Sequence, residues 1–169
     1  MHVFYSAQPR DSDLSLETVS RLIAANFPEF GSMSITRLAA QGSQNYTYRL
    51  GSEMSIRLPR NQHFAIRLER EMQWLPLISR RLPLLVPTPI ASAGPSSEFP
   101  MPWAIYRWIE GEPLSTQGHG DEVESALLLA SFIEALRNLD PTDAPASLQD
   151  RSLEDRDRTI RAARSKSNV

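Results

Sequence analysis

The first 28 residues contain one stretch in which apolar side chains recur at helical spacing. Either Asp13 or Ser15 can serve as its N-cap, and Pro28 is expected to end it. This spacing predicts an amphipathic helix. Its apolar face is formed by Leu16, Val19, Leu22, Ile23 and Phe27.

From Ile35 onward the pattern changes to alternation. Apolar and polar residues alternate over 35–38, 46–50 and 54–58, with turn-forming residues between these runs. Because successive side chains of a strand point to opposite faces of a sheet, the pattern predicts three antiparallel strands.

The middle of the chain predicts a second helix and a buried strand. An apolar stripe runs through 64–82, where Pro76 either kinks the helix or opens a second, short one. The aromatic, apolar run Trp103–Ile109 predicts a buried strand. Between them, an extended connection is expected from Pro83, Pro87 and Pro89.

No strand pattern follows residue 110. Residues 121–139 predict a strong helix, with acidic residues in its first turn, Arg137 in its last, and an apolar face made of Leu128, Phe132, Ile133 and Leu136. A weaker, arginine-rich helix is predicted over 153–164. The predicted order is one helix, three strands, one helix, two strands and then helices only, which is an α+β arrangement.

Composition and charge exclude several classes of function. The chain has 18 basic and 20 acidic residues, so its net charge of −2 provides no positive field for nucleic acid or an anionic membrane. It contains no cysteine, which removes disulfides and thiolate chemistry. No apolar run reaches the roughly 18 residues of a membrane helix, and no signal peptide is visible, so we expect a cytoplasmic protein. Only one basic residue, Lys166, is a lysine, so basic chemistry earlier in the chain must use arginine.

Three features lie in the order that a nucleotide site requires. The break at 41–45 offers backbone amides and short polar side chains for phosphate oxygens, although a single glycine between strands is most often a simple hairpin. Arg57 on the third predicted strand carries a permanent charge on a planar fork that suits phosphate or carboxylate. Glu71 adjoins the apolar Met72, so it can border the helix face toward the sheet and pair with Arg57, with Glu69 as the competitor.

Together these segments resemble the aminoglycoside phosphotransferase family, which has a protein-kinase-like fold. The resemblance covers approximately residues 15–160 and is carried by five segments: Gln41–Asn45, Ile56–Arg60, Arg70–Pro76, Val86–Pro89 and Tyr106–Glu112. It implies a small lobe made of a five-stranded antiparallel sheet with one main helix, followed by the first helices of an incomplete large lobe. We expect residues 1–107 to form the nucleotide-binding lobe and residues 108–169 to form the hinge and part of the helical lobe.

The resemblance also implies a reaction and a set of site residues. The family moves the terminal phosphate of ATP, with Mg²⁺, to a hydroxyl of a small molecule. Arg57 matches the phosphate anchor, Glu71 its partner, and Tyr106 falls near the gatekeeper position. The phosphate-covering loop is matched by Gly42, Ser43, Gln44 and Asn45. The hinge groups that read the base are matched by the carbonyl of Arg107 and the amide of Ile109, and the apolar walls of the base are expected from Ile35, Leu38 and Ile56.

The catalytic and metal-binding residues of the family are not identified in this sequence. The family's His-Gly-Asp loop carries an asparagine five residues after its aspartate, whereas His119-Gly120-Asp121 is followed at that distance by Ala126 and opens a predicted helix. Asp155 and Asp157 lie in a segment of alternating charge that is typical of a solvated face. We therefore expect the chain to end before the catalytic loop and to be inactive alone.

Two other interpretations stay open. The chain can be a non-catalytic module that binds nucleotide or protein, because an uncovered apolar face on the helix at 121–139 would favour self-association. It can also be a complete enzyme with an unrecognised site. The acceptor is open as well: an antibiotic, a sugar, an amino alcohol or another metabolite.

Overall fold

The structure, a computed structural model, describes residues 14–39, 42–111, 122–140 and 142. Its helices are α1 (Leu16–Asn26), α2 (Gln62–Ile78) and α3 (Glu122–Arg137). Its strands are β1 (Ile35–Arg37), β2 (Asn45–Leu50), β3 (Met54–Pro59), β4 (Pro89–Ala93) and β5 (Trp103–Arg107). Short 3₁₀ turns follow α1 at Pro28–Phe30 and α2 at Ser79–Arg81.

The five strands form one antiparallel sheet in the order β1-β2-β3-β5-β4. The α+β class and the five-stranded sheet predicted from the sequence are therefore confirmed. The β2–β3 turn requires a glycine, because Gly51 has φ +57° and a Cβ there would lie 2.7 Å from Met33 Cε. Within this hairpin Thr47 lies opposite Arg57, and Tyr48 lies opposite Ile56.

The two faces of the sheet are covered by different helices. One face holds the main core, which α1 covers through Val19, Leu22 and Ile23. Its buried sheet residues are Tyr46, Tyr48, Leu50, Met54, Ile56, Leu58, Trp103 and Ile105. On the opposite face a smaller cluster joins Ala104 and Tyr106 to residues of α2: Leu68, Met72 and Leu75. The strict alternation of β5 produces this division, since its adjacent residues enter different clusters.

The helix boundaries are set by local caps. The Ser15 side chain accepts a hydrogen bond from the Thr18 amide at 3.1 Å and caps α1, while Asp13 lies outside the described residues. The Asn61 side chain accepts from the Phe64 amide at 3.2 Å, so α2 begins two residues before its predicted start. The helix continues through Pro76, which falls in its last turn, where the missing amide costs one intrahelical bond.

Two strand boundaries differ from the sequence-based prediction. The first of the two strands predicted after α2 was not located in the sequence; it begins at Pro89, within the expected extended connection, as the edge strand β4, with an irregularity before Ala91. Proline is tolerated there because an edge strand leaves one side of its backbone unpaired. The final strand ends at Arg107 rather than Ile109, because the chain leaves the sheet after the Trp108 amide bonds to the Glu53 carbonyl at 2.7 Å.

The predicted third helix is confirmed as α3, with Glu122 and Glu124 in its first turn and Arg137 in its last. None of its residues is buried. Six of its large apolar side chains are 38% to 68% exposed: Val123, Leu127, Leu128, Leu129, Ile133 and Leu136. The helix predicted over 153–164 and the segment 119–121 lie outside the described residues. Of the helices described, none has both the length and the apolar character needed to cross a membrane.

Candidate functional site

The loop before β2 and the arginine of β3 line one cavity of about 350 Å³. Its lining consists of Arg57, Thr47 and the loop residues Gly42, Ser43, Gln44 and Asn45. Thr47 lies opposite Arg57 in the β2–β3 pairing, so both side chains lie on the same face of the sheet. The structure thus brings the loop and the strand arginine together.

Arg60, just after β3, holds this loop from outside the cavity lining. Its Nε donates to the Gly42 carbonyl at 3.1 Å, and its backbone amide donates to the Gln44 carbonyl at 2.9 Å. Its guanidinium also lies 4.0 Å from the centre of the Tyr46 ring. Because a trans peptide directs its C=O and N–H to opposite sides, the bond to the Gly42 carbonyl turns the Ser43 amide away from Arg60.

Gly42 is not required by the fold. Its φ is not positive, and the nearest atom to a Cβ at this position, among the described residues, would be the Asn45 carbonyl oxygen at an ordinary 3.9 Å. The missing side chain of Gly42 leaves its backbone open to close approach from the cavity that it lines. Asn45 lines the same cavity, and its buried side-chain oxygen has no hydrogen-bond donor among the described residues.

The predicted ion pair between Arg57 and Glu71 is confirmed. Arg57 Nη1 lies 3.8 Å from Glu71 Oε2, and the two side chains are 27% and 40% exposed. Glu71 reaches the sheet because it lies three residues after Leu68 and four before Leu75, which both contact the cluster around Tyr106. The competitor Glu69 is exposed.

Tyr106 completes a cluster of three groups with this ion pair. Its hydroxyl donates to Glu71 Oε2 at 3.2 Å, and the Arg57 guanidinium lies 4.4 Å from the centre of its ring. Burial raises the pKa of the Tyr106 hydroxyl far above its ordinary value, and the negative charge of Glu71 raises it further. The hydroxyl therefore stays protonated and remains a donor. These three residues are called the Arg57 cluster below.

The segment predicted to form the hinge, called the hinge below, begins where β5 ends. The Arg107 amide donates to the Thr88 carbonyl at 2.8 Å, and the Trp108 amide is bonded to Glu53. Arg107 lies opposite Met54, three residues before Arg57 along β3. At the usual rise of a strand this is about 10 Å.

The prediction of apolar walls for the base is wrong at two of its three residues, Ile56 and Ile35. Ile56 is fully buried in the main core, and Ile35 packs against the same core. The reason is the strand period: Ile56 adjoins Arg57 and must face the other way. Ser55, two residues before Arg57 and 3% exposed, lies on the correct face. The sequence-based prediction missed Ser55 and Thr47. The available signal was the strand period, because Ser55 lies two residues from Arg57 on β3 and Thr47 lies two residues from Asn45 on β2.

The described residues do not supply a magnesium site. Within this part of the chain, no group of three or more histidine, aspartate or glutamate side chains could hold a metal ion. The Mg²⁺ implied by the resemblance therefore has no ligand set here, and no step of the chemistry is assigned to it.

The sheet order, the loop beside the strand arginine, the paired helix glutamate and the hinge define a protein-kinase-like small lobe. A family model described as the phosphotransferase enzyme family matches residues 35–167, and the chain belongs to this family.

Solved structures of aminoglycoside phosphotransferases have the same fold. The GDP complex of wild-type aminoglycoside 2'-phosphotransferase-IIIa has a TM-score of 0.75 and 22% identity, over 89% of this chain and 51% of that one. An APH(2'') enzyme with GDP and kanamycin has a TM-score of 0.67 and 23% identity, over 86% of this chain and 55% of that one. An ADP-bound APH(2'')-Ib has a TM-score of 0.60 and 16% identity, over 88% of this chain and 48% of that one. The chain thus spans about half the length of these structures, and no curated protein matches the sequence.

Proposed function

We propose that this chain is the nucleotide-binding part of an ATP-dependent phosphotransferase that acts on a hydroxyl group of a small molecule. The observation that carries the proposal is the single cavity lined by the loop 42–45 and Arg57, with Glu71 on the helix behind it. In this proposal residues 1–107 form the nucleotide-binding lobe, and residues 108–169 form the hinge and part of a helical lobe. A cytoplasmic location, where ATP is available, belongs to the same proposal.

The phosphates are held by Gly42, Ser43, Gln44, Asn45 and Arg57. Backbone amides of a short polar loop suit phosphate oxygens, and the bond from Arg60 to the Gly42 carbonyl supports an outward orientation of the Ser43 amide. Glu71 holds Arg57 in place but neutralises it only in part, because the ion pair is long and half-exposed. The positive charge of Arg57 therefore stays available for phosphate.

The base is read by the carbonyl of Arg107 and the amide of Ile109. The Arg107 and Trp108 amides are already bonded to Thr88 and Glu53, which anchors the hinge to the sheet. In the described part of the chain the Ile109 amide has no such bond. The nucleotides named with the similar structures, GDP and ADP, support a nucleoside at this edge without deciding the base.

Phosphate transfer itself needs groups beyond those described. The acceptor oxygen must bond to the terminal phosphorus as the bond to the bridging oxygen breaks, and a base must accept the acceptor's proton. Among the described residues we assign no general base to accept this proton, and no metal site is present. We expect nucleotide binding by this chain and no transfer by it alone.

The test is a titration of the 169-residue chain with ATP and GTP at millimolar concentration, followed by the amide NMR spectrum. We expect shifts at Gly42–Asn45 and at the hinge. Arg57→Met should weaken binding about tenfold or more, because it removes a charge-assisted contact. Arg37→Met is the matched control, since Arg37 is an exposed arginine on β1. No spectral change with either nucleotide, or equal effects of the two substitutions, would contradict the proposal.

The alternative function, a non-catalytic interaction module, is supported by the exposed apolar side chains of α3. It predicts concentration-dependent self-association in sedimentation experiments and binding of an apolar dye. A clean monomer that binds no dye would count against it.

A further inference from the structure

Arg49, near the end of β2, connects the β2–β3 turn to the hinge. Its guanidinium lies 3.9 Å from the centre of the Trp108 ring, and Nη2 donates to Glu110 Oε1 at 2.7 Å. The same side chain donates to two carbonyls of the turn, those of Gly51 at 3.4 Å and Ser52. Only 18% of the Arg49 side chain is exposed. One arginine thus makes four contacts with two segments of the chain.

The sheet topology explains why these segments meet. Because β3 and β5 are antiparallel, the β2–β3 turn lies beside the residues that follow β5. Beyond Arg107 the hinge has left the sheet, and the Trp108 amide is its last backbone bond to the turn, at the Glu53 carbonyl. Arg49 adds two side-chain contacts beyond this bond, the stacking on Trp108 and the ion pair with Glu110.

The chemistry of these contacts requires an arginine. A planar guanidinium can stack on an indole while its edge donates to a carboxylate and to carbonyls, whereas a lysine ammonium is a point charge that cannot do both. The bond to Glu110 alone would contribute little, because the Glu110 side chain is 80% exposed. The stacking on Trp108 and the two turn carbonyls therefore provide most of the restraint.

We infer that Arg49 is a positioning residue that orders the hinge so that the Arg107 carbonyl and the Ile109 amide face the nucleotide base. The inference rests on the proposed nucleotide-binding function and adds a specific residue to it. Arg49 acts through the hinge, since its guanidinium is already occupied by Trp108, Glu110 and the turn carbonyls. Its loss should weaken recognition of the base and leave the phosphate loop unaffected.

The first test separates the two halves of the ligand. Adenosine and tripolyphosphate are titrated separately into the wild-type chain, Arg49→Gln and Arg49→Lys. Arg49→Gln should weaken adenosine binding about tenfold, mainly because the cation–π contact with Trp108 is lost, and should leave tripolyphosphate binding within about twofold. Arg49→Lys should fall between the wild type and Arg49→Gln. Arg60→Gln, which frees the phosphate loop, is the matched control and should show the reverse pattern.

The second test needs no ligand. Hydrogen exchange of the Trp108 amide should become about tenfold faster in Arg49→Gln, relative to the Ile56 amide in the central strand, which reports global stability. Equal weakening of adenosine and tripolyphosphate binding, or unchanged Trp108 exchange relative to Ile56, would overturn the inference. If the wild-type chain binds neither ligand, the proposed function fails, while the exchange result still decides whether Arg49 orders the hinge.

Discussion

Replacing Tyr106 with phenylalanine removes one hydroxyl from the Arg57 cluster and leaves the ring beneath the guanidinium. The lost hydrogen bond joins the hydroxyl to Glu71 Oε2 at 3.2 Å. A hydrogen bond to a charged group contributes about 1.5–3 kcal/mol to stability. Because the Glu71 side chain is 40% exposed, water can replace the hydroxyl, so we expect a loss at the lower end of this range, about 1.5 kcal/mol.

The ion pair in the same cluster is expected to contribute less. Arg57 and Glu71 are 3.8 Å apart and both partly exposed, and such pairs contribute about 0.2–1 kcal/mol. Double-mutant cycles measured by urea unfolding compare the two interactions directly, using Tyr106→Phe with Glu71→Ala and Arg57→Met with Glu71→Ala. The first cycle should give the larger coupling energy.

A coupling between Arg57 and Glu71 that equals or exceeds the coupling between Tyr106 and Glu71 would refute this reasoning. Coupling energies within about 0.3–0.5 kcal/mol of zero in both cycles would refute it as well, since that is the scatter of independent sites. The first result would mean that the ion pair with Arg57 positions Glu71, and the second would mean that the packing of Leu68 and Leu75 does so alone.

Three further predictions follow from the backbone, the Tyr106 hydroxyl and α3. Gly51→Ala should lower the free energy of unfolding by about 1–2 kcal/mol, because residue 51 has a positive φ. Gly42→Ala should leave thermal unfolding unchanged and weaken ATP binding. Equal losses of Tm in the two variants would contradict this contrast. Burial raises the pKa of the Tyr106 hydroxyl in the folded chain. The stabilising contribution of the protonated hydroxyl is therefore complete below the unfolded-state pKa, near 10, and is lost as the pH rises above that value. The free energy of urea unfolding should decline more steeply across that range for the wild type than for Tyr106→Phe. Leu127→Glu, at a side chain that is 67% exposed, should reduce binding of an apolar dye without lowering Tm, and an unchanged dye signal would show that the dye binds elsewhere.

Much of the fold could be predicted because it depends on local periodicity. The alternation around Tyr48 and Ile56 predicted the hairpin β2–β3, and the helical stripe through Leu68 and Leu75 predicted α2. The candidate pair of Arg57 and Glu71 followed from the same patterns together with the family resemblance. The error over Ile56 conflicts with the same periodicity: alternation places the adjacent Ile56 and Arg57 on opposite faces of the sheet, so both could not line one cavity.

The sequence by itself determined the elements, their order and the chemistry that arginine must perform in a chain whose single lysine is Lys166. The tertiary structure decided how the site is held. Tyr106 and Glu71 are 35 residues apart, and Arg49 and Glu110 are 61 apart, so no local period relates them. Such contacts arise only when the sheet sets β5 beside β3 and α2 packs across it, because side-chain hydrogen bonds and stacking act over a few ångströms in space and not along the chain.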